Sequence, residues 1–171
     1  DLTVTVANFN QSFTQVQADN NPIADESGFL ALVTTELSNN ELSELIQTED
    51  FRCRTNPVFT QLGASGTFGG ASVSNFAGYF SLQASGVVDG TAFEGNPIYL
   101  IGGNGKGIAD SSAFLLIGFD QGFAPDLTLT LNFDDGNIIW GTAGGTNSVS
   151  PTFPAMQMES GVIPEEPCEL T

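Results

Sequence analysis

Near its start the chain alternates strictly: Leu2, Val4 and Val6 are apolar, and the β-branched Thr3 and Thr5 lie between them. A period of two predicts a half-buried strand. From Asn10 to about Ser27 the pattern turns polar, and only Phe13 and Val16 offer anchors. Gly28-Phe29-Leu30-Ala31-Leu32-Val33-Thr34 then reads as a well-buried strand.

A helix is predicted from Ser38 to about Asp50. Ser38 and Glu41 have capping-box spacing, in which each side chain satisfies the other residue's free backbone N–H. Leu37 and Leu42 stand where a hydrophobic staple would form. Leu42, Leu45 and Ile46 make an i, i+3, i+4 stripe, leaving Glu44 and Gln47 to water.

From Phe68 onward the pattern is β, with candidate strands at 78–86, 97–102, 113–119, 127–133, 138–142 and 152–158. The clearest alternates Leu127, Leu129, Leu131 and Phe133 with Thr128, Thr130 and Asn132. Asp134-Asp135-Gly136-Asn137 follows, then Ile138-Ile139-Trp140, so the Asp-Gly pair predicts a hairpin closed by a type I′ turn. The count comes to about eight strands and one or two short helices, with no repeat of fixed period. This spacing predicts an all-β fold, an antiparallel β-sandwich of which the jelly roll is one version. It would form a single domain over 1–171, with an N-terminal strand at 1–9 and a C-terminal tail at 159–171.

Charge narrows the function. The 171 residues carry 20 Asp and Glu, three basic residues (Arg52, Arg54, Lys106) and no histidine, for a formal net charge of −17. Such a surface repels phosphate backbones and anionic lipid, which argues against nucleic acid as a partner. Without histidine, the commonest proton shuttle near neutral pH is missing, and so are most zinc, copper and iron sites. Scarcity of lysine fits a secreted or surface-exposed protein. Cys53 and Cys168 would close one long loop as a disulfide in an oxidising compartment; the alternative is two unpaired thiols. No apolar stretch reaches the length of a membrane span, and Asp1 opens without the basic and apolar regions of a signal peptide, as expected of a processed form.

The candidate chemistry is sparse. Gly102-Gly103-Asn104-Gly105-Lys106-Gly107 lacks the Ser or Thr that a phosphate-cradling loop needs after its lysine, so it reads as a strand connection. Asp134 with Asp135, or Asp19 with Asp25 and Glu26, could offer oxygen ligands to Ca²⁺, but none matches an EF-hand spacing. No Gly-x-Ser-x-Gly elbow and no recognisable carboxylate pair appears, so the expectation is a protein that is not an enzyme, with no cofactor. Trp140, Tyr79 and Tyr99 are the candidates for stacking on a glycan.

Three stretches carry a family resemblance. Phe59-Thr60-Gln61-Leu62-Gly63-Ala64-Ser65-Gly66, then Gly95-Asn96-Pro97-Ile98-Tyr99-Leu100-Ile101-Gly102-Gly103-Asn104-Gly105, and then Ala109-Asp110-Ser111-Ser112 resemble exported bacterial proteins of the PEP-CTERM class, as found in Verrucomicrobia. The tail Val162-Ile163-Pro164-Glu165-Glu166-Pro167 resembles their sorting signal, with two glutamates between the prolines instead of one. The resemblance implies export, removal of a C-terminal anchor, and display outside the cell; it implies no catalytic residues. Together with the alternating first strand, it leads to the expectation of an extracellular structural protein. This would be a self-associating filament or matrix subunit in which Leu2, Val4 and Val6 complete a neighbour's sheet by β-augmentation. The alternative is a cell-surface carbohydrate-binding or adhesion module, with a glycan or Ca²⁺ as ligand.

Overall fold

The computed structural model describes residues 2–9, 11–48, 58–124 and 128–160. Among these are twelve strands and one α-helix: β1 Leu2–Ala7, β2 Gln15–Ala18, β3 Asn21–Pro22, β4 Phe29–Thr34, α1 Asn39–Thr48, β5 Thr60–Gly66, β6 Ser81–Gly86, β7 Pro97–Gly103, β8 Phe114–Gly122, β9 Thr128–Asn132, β10 Asn137–Trp140, β11 Thr142–Ala143 and β12 Ala155–Met158. They form a three-stranded sheet (β6-β1-β9), a five-stranded sheet (β10-β8-β7-β4-β5) and a four-stranded sheet (β11-β12-β2-β3). The fold is all-β and sandwich-like, as the strand spacing predicts. Most pairings are antiparallel, but β1 runs parallel to β9, and β12 parallel to β2.

Burial follows the layers. Alternate residues of β1 and β6 (Leu2, Val4, Val6; Leu82, Ala84) meet the inner face of the five-stranded sheet at Leu30, Leu32, Leu100, Leu115 and Ile117. The outer face of that sheet, with Phe29, Ala31, Val33, Ile101 and Leu116, is covered by Leu42 and Ile46 of α1. A sheet covered on both faces needs apolar residues at every position of its middle strands. This is why β4 reads as a continuous run, and all six of its residues are buried.

The helix starts as its capping box dictates. The Ser38 backbone N–H donates to Glu41 Oε1 (3.1 Å), and the Glu41 N–H donates to Ser38 Oγ (3.2 Å). Its expected final residues beyond Thr48 lie outside the described ones.

The predicted hairpin at 127–142 does not form. β9 pairs with β1 in the three-stranded sheet, whereas β10 pairs with β8 in the five-stranded one. A 3₁₀ turn at Phe133–Asp135 carries the chain from one sheet to the other. Gly136 has φ −82° and ψ 158°, far from the positive φ of a type I′ turn. Phe133 is instead drawn into the core, edge-on to Phe80 (5.7 Å between centroids, 85°). At Gly136 a Cβ would lie 2.2 Å from Ile117 Cγ2, so glycine serves close approach there rather than turn chemistry.

The segment read as polar, 10–27, contains β2 and β3. Gln15 and Gln17 of β2 are buried, and their amides are filled from distant parts of the chain. Gln15 exchanges hydrogen bonds with Ser148, accepting from its backbone N–H (2.9 Å) and donating to its Oγ (2.8 Å). Gln17 Nε2 donates to Gln15 Oε1 (2.9 Å) and to the Thr146 carbonyl (2.8 Å), and Gln157 Nε2 donates to Gln17 Oε1 (2.8 Å). Burial of an amide is tolerated when its donors and acceptors are all met, and this ladder meets them.

Candidate assembly interface

β1 lies in the middle of its sheet and is bound on both edges. One edge runs antiparallel to β6, from Leu2 opposite Gly86 to Ala7 opposite Ser81. The other runs parallel to β9, from Thr3 opposite Thr128 to Ala7 opposite Asn132. Leu2, Val4 and Val6 are each 0% exposed, so the three residues singled out by alternation share one face and point into the core. Thr3 and Thr5 occupy the outer face, and the Thr3 and Ser85 hydroxyls are bonded at 2.9 Å. Within this chain β1 therefore completes its own sheet.

Immediately after β1, Asn8 acts as a clasp. Its buried amide donates to the Thr14 carbonyl (2.7 Å) and the Gly78 carbonyl (2.9 Å), and its Oδ1 accepts from the Phe80 N–H (2.8 Å). Gln11 and Ser12, which follow, are exposed. Phe13 sits at φ 56° with its ring stacked on Phe153 (5.0 Å, 26°). The Phe13 carbonyl accepts from Tyr79 Oη (2.6 Å) and Asn147 Nδ2 (3.1 Å), and the Thr14 hydroxyl donates to Asp134 Oδ1. Burial pushes the Tyr79 phenol above its ordinary value; the hydrogen bond with Asn147 works against the rise, and the Asp134 charge adds to it.

Several of the other sequence candidates are packed or hydrogen-bonded within the fold. Trp140 stacks on Phe114 (6.0 Å, 20°), and its indole N–H donates to the Glu159 carbonyl (3.0 Å). Tyr99 is buried and donates to Asn39 Oδ1 (2.9 Å); burial raises its phenol pKa. The glycine-rich connection is knit by Asn104, whose Oδ1 accepts from the Ser112 and Ala113 N–H groups (2.9 and 3.2 Å), and it leads into a three-residue 3₁₀ turn. Asp25 accepts from the Gly70 N–H (2.7 Å). Asp134 is bound by Thr14, and among the described residues no group of three or more Asp, Glu or Cys is placed to hold a metal ion. Cys53, Cys168 and the Pro-Glu-Glu-Pro stretch lie outside the described residues.

The clasp and the β2 ladder escape sequence reading because nothing local marks Asn8 or Gln15 as interior. Apart from the Asn8–Thr14 and Gln17–Gln15 bonds, their partners come from 77–80 and 146–157. Comparison with protein-family models, curated proteins and solved structures finds no match to this chain.

Proposed function

We propose that the protein is an extracellular or cell-surface structural subunit that assembles into filaments or a matrix by exchange of β1 between copies. The observation that carries this reading is the seat of β1. It is bound along both edges, buries three apolar side chains, and is followed by a connection to a strand of a different sheet in which Gln11 and Ser12 are exposed. An equivalent strand from a second copy would make the same backbone and side-chain contacts, so exchange costs association entropy and the opening of one link rather than lost packing. Burying Leu2, Val4 and Val6 contributes roughly 1.5–3 kcal/mol each before ordering costs. A location outside the cell draws its support from the scarcity of basic residues and from the resemblance of the Pro-Glu-Glu-Pro stretch to an export signal.

The test uses the Thr3–Ser85 pair. In a Cys53→Ser/Cys168→Ser background, Thr3→Cys with Ser85→Cys forms a disulfide within one chain if β1 stays home, and between chains if it is exchanged. A ladder of covalent multimers on a non-reducing denaturing gel, with filaments in negative stain, is expected. A band of monomer size alone refutes exchange.

A further inference from the structure

A second surface on this molecule has the features of an interface, and it does not depend on exchange of β1. Phe9, Phe13, Val73, Phe76, Tyr79, Val149 and Phe153 line an open apolar cleft of about 320 Å³, with Ser72 and Ser74 at its rim. Three of the five large apolar side chains exposed among the described residues belong to it: Phe76 is 51% exposed, Val149 44% and Phe13 38%. Single exposed apolar residues need no explanation, but a cluster around one concavity does.

Charge is segregated from this cleft. Segments 2–18, 69–79 and 146–153, which build it, contain no charged residue, although the chain carries 20 acids. Two carboxylates bonded to residues of these segments are Asp134, which accepts from the Thr14 hydroxyl, and Asp25, which accepts from the Gly70 N–H. Two copies of a molecule with net charge −17 repel each other over most approaches. They can meet at this face without burying a carboxylate of its own segments, so it is a face on which two such acidic copies can approach. It also holds both parts of a self-complementary contact. Phe76, half exposed and edge-on to Tyr79 (6.5 Å, 71°), is an aromatic side chain on the cleft's own wall, and the Phe13–Phe153 stack forms another part of that wall.

We propose that this cleft is a two-fold self-association face, in which Phe76 of each copy enters the cleft of the other. A two-fold contact requires the inserted side chain and the cleft that receives it to lie on the same patch, and Phe76 belongs to the cleft it would fill in the other copy. The occupant is a second copy of this chain, and the anchor is aromatic, as at the centres of known interfaces.

Sedimentation equilibrium over a range of concentrations tests this with four single variants. Phe76→Glu and Val149→Glu place a charge in the cleft; Val87→Glu and Ile138→Glu place the same charge on exposed apolar positions outside it. The first two should weaken association by about 30-fold or more, and the second two by less than about threefold. Equal behaviour of all four overturns the proposal, as does a wild-type protein that stays monomeric. Monomers that bind phosphatidylcholine vesicles in a Phe76-dependent way overturn it too, in favour of a foreign apolar ligand. Because the covalent ladder from Thr3→Cys/Ser85→Cys does not involve Phe76, loss of one association can be told from loss of the other.

Discussion

Replacing Asn8 with alanine removes the side chain that ties the end of β1 to segment 78–80 and to the start of β2. Three backbone groups lose a partner, but the Gly78 carbonyl keeps the bond it accepts from the Val16 N–H (2.9 Å). The Phe80 N–H and the Thr14 carbonyl are then left without the amide. At about 1–3 kcal/mol for each of the two buried groups left unsatisfied, Asn8→Ala should cost about 2–6 kcal/mol. Urea unfolding reads this as a fall in midpoint at constant slope, by about 1–3 M for a slope near 2 kcal/mol/M. Asn21→Ala is the control, since its exposed amide bonds only the Asp19 carbonyl. Asn8→Asp adds a pH test. The introduced carboxyl faces two carbonyls, so the folded state favours its protonated form and raises its pKa above the unfolded value. The folded chain then binds more protons than the unfolded one as pH rises past about 4, and stability relative to wild type should fall by up to about 1.4 kcal/mol per unit. A cost below about 1 kcal/mol for Asn8→Ala, or a pH-independent difference for Asn8→Asp, would refute the clasp.

Two further predictions probe the crossing and the cleft wall. Gly136→Ala should destabilise by about 1–3 kcal/mol through overpacking against Ile117, and Ile117→Ala in the same chain should recover part of that loss; additive costs in a double-mutant cycle would show that the two positions do not touch. Tyr79 keeps its proton longer in the folded chain than in the unfolded one. Stability should therefore decline as pH rises through about 10, the unfolded phenol value, and Tyr79→Phe should flatten that decline in thermal melts between pH 8 and 11.

What could be read from the sequence depended on how far away the partners lie. The capping box of α1 and the run in β4 are local: Ser38 finds Glu41 three residues on, and a doubly covered strand shows its apolar content directly. Alternation in 2–6 and 128–132 located two strands and their buried faces but not their pairing, and β1 joins both β6 and β9. The Asp-Gly signal misled because its φ preference is weak beside the burial of Phe133 and the close approach of Gly136 to Ile117. The polar pattern of 10–27 does not show β2, because Gln15 and Gln17 are not apolar; their bonds to each other and to the distant Ala77, Ser148, Thr146 and Gln157 make their burial tolerable. Tyr79, Tyr99 and Trp140 looked available for stacking in sequence, yet each has its polar tip bonded within the fold. The apolar cleft gave no signal, since its lining comes from three separate segments.

The parallel partner of β1 also orders events in time. Thr3 pairs with Thr128, and Leu2 with Gly86, so β1, which precedes both partners in the chain, has no permanent berth until β9 is present. Contacts this remote in sequence close slowly, because loop entropy must be overcome before they are rewarded. Throughout that wait a greasy ribbon is open to any sibling chain whose groove is already built, and the order in which neighbouring chains fold, as much as equilibrium, would then decide which one houses it.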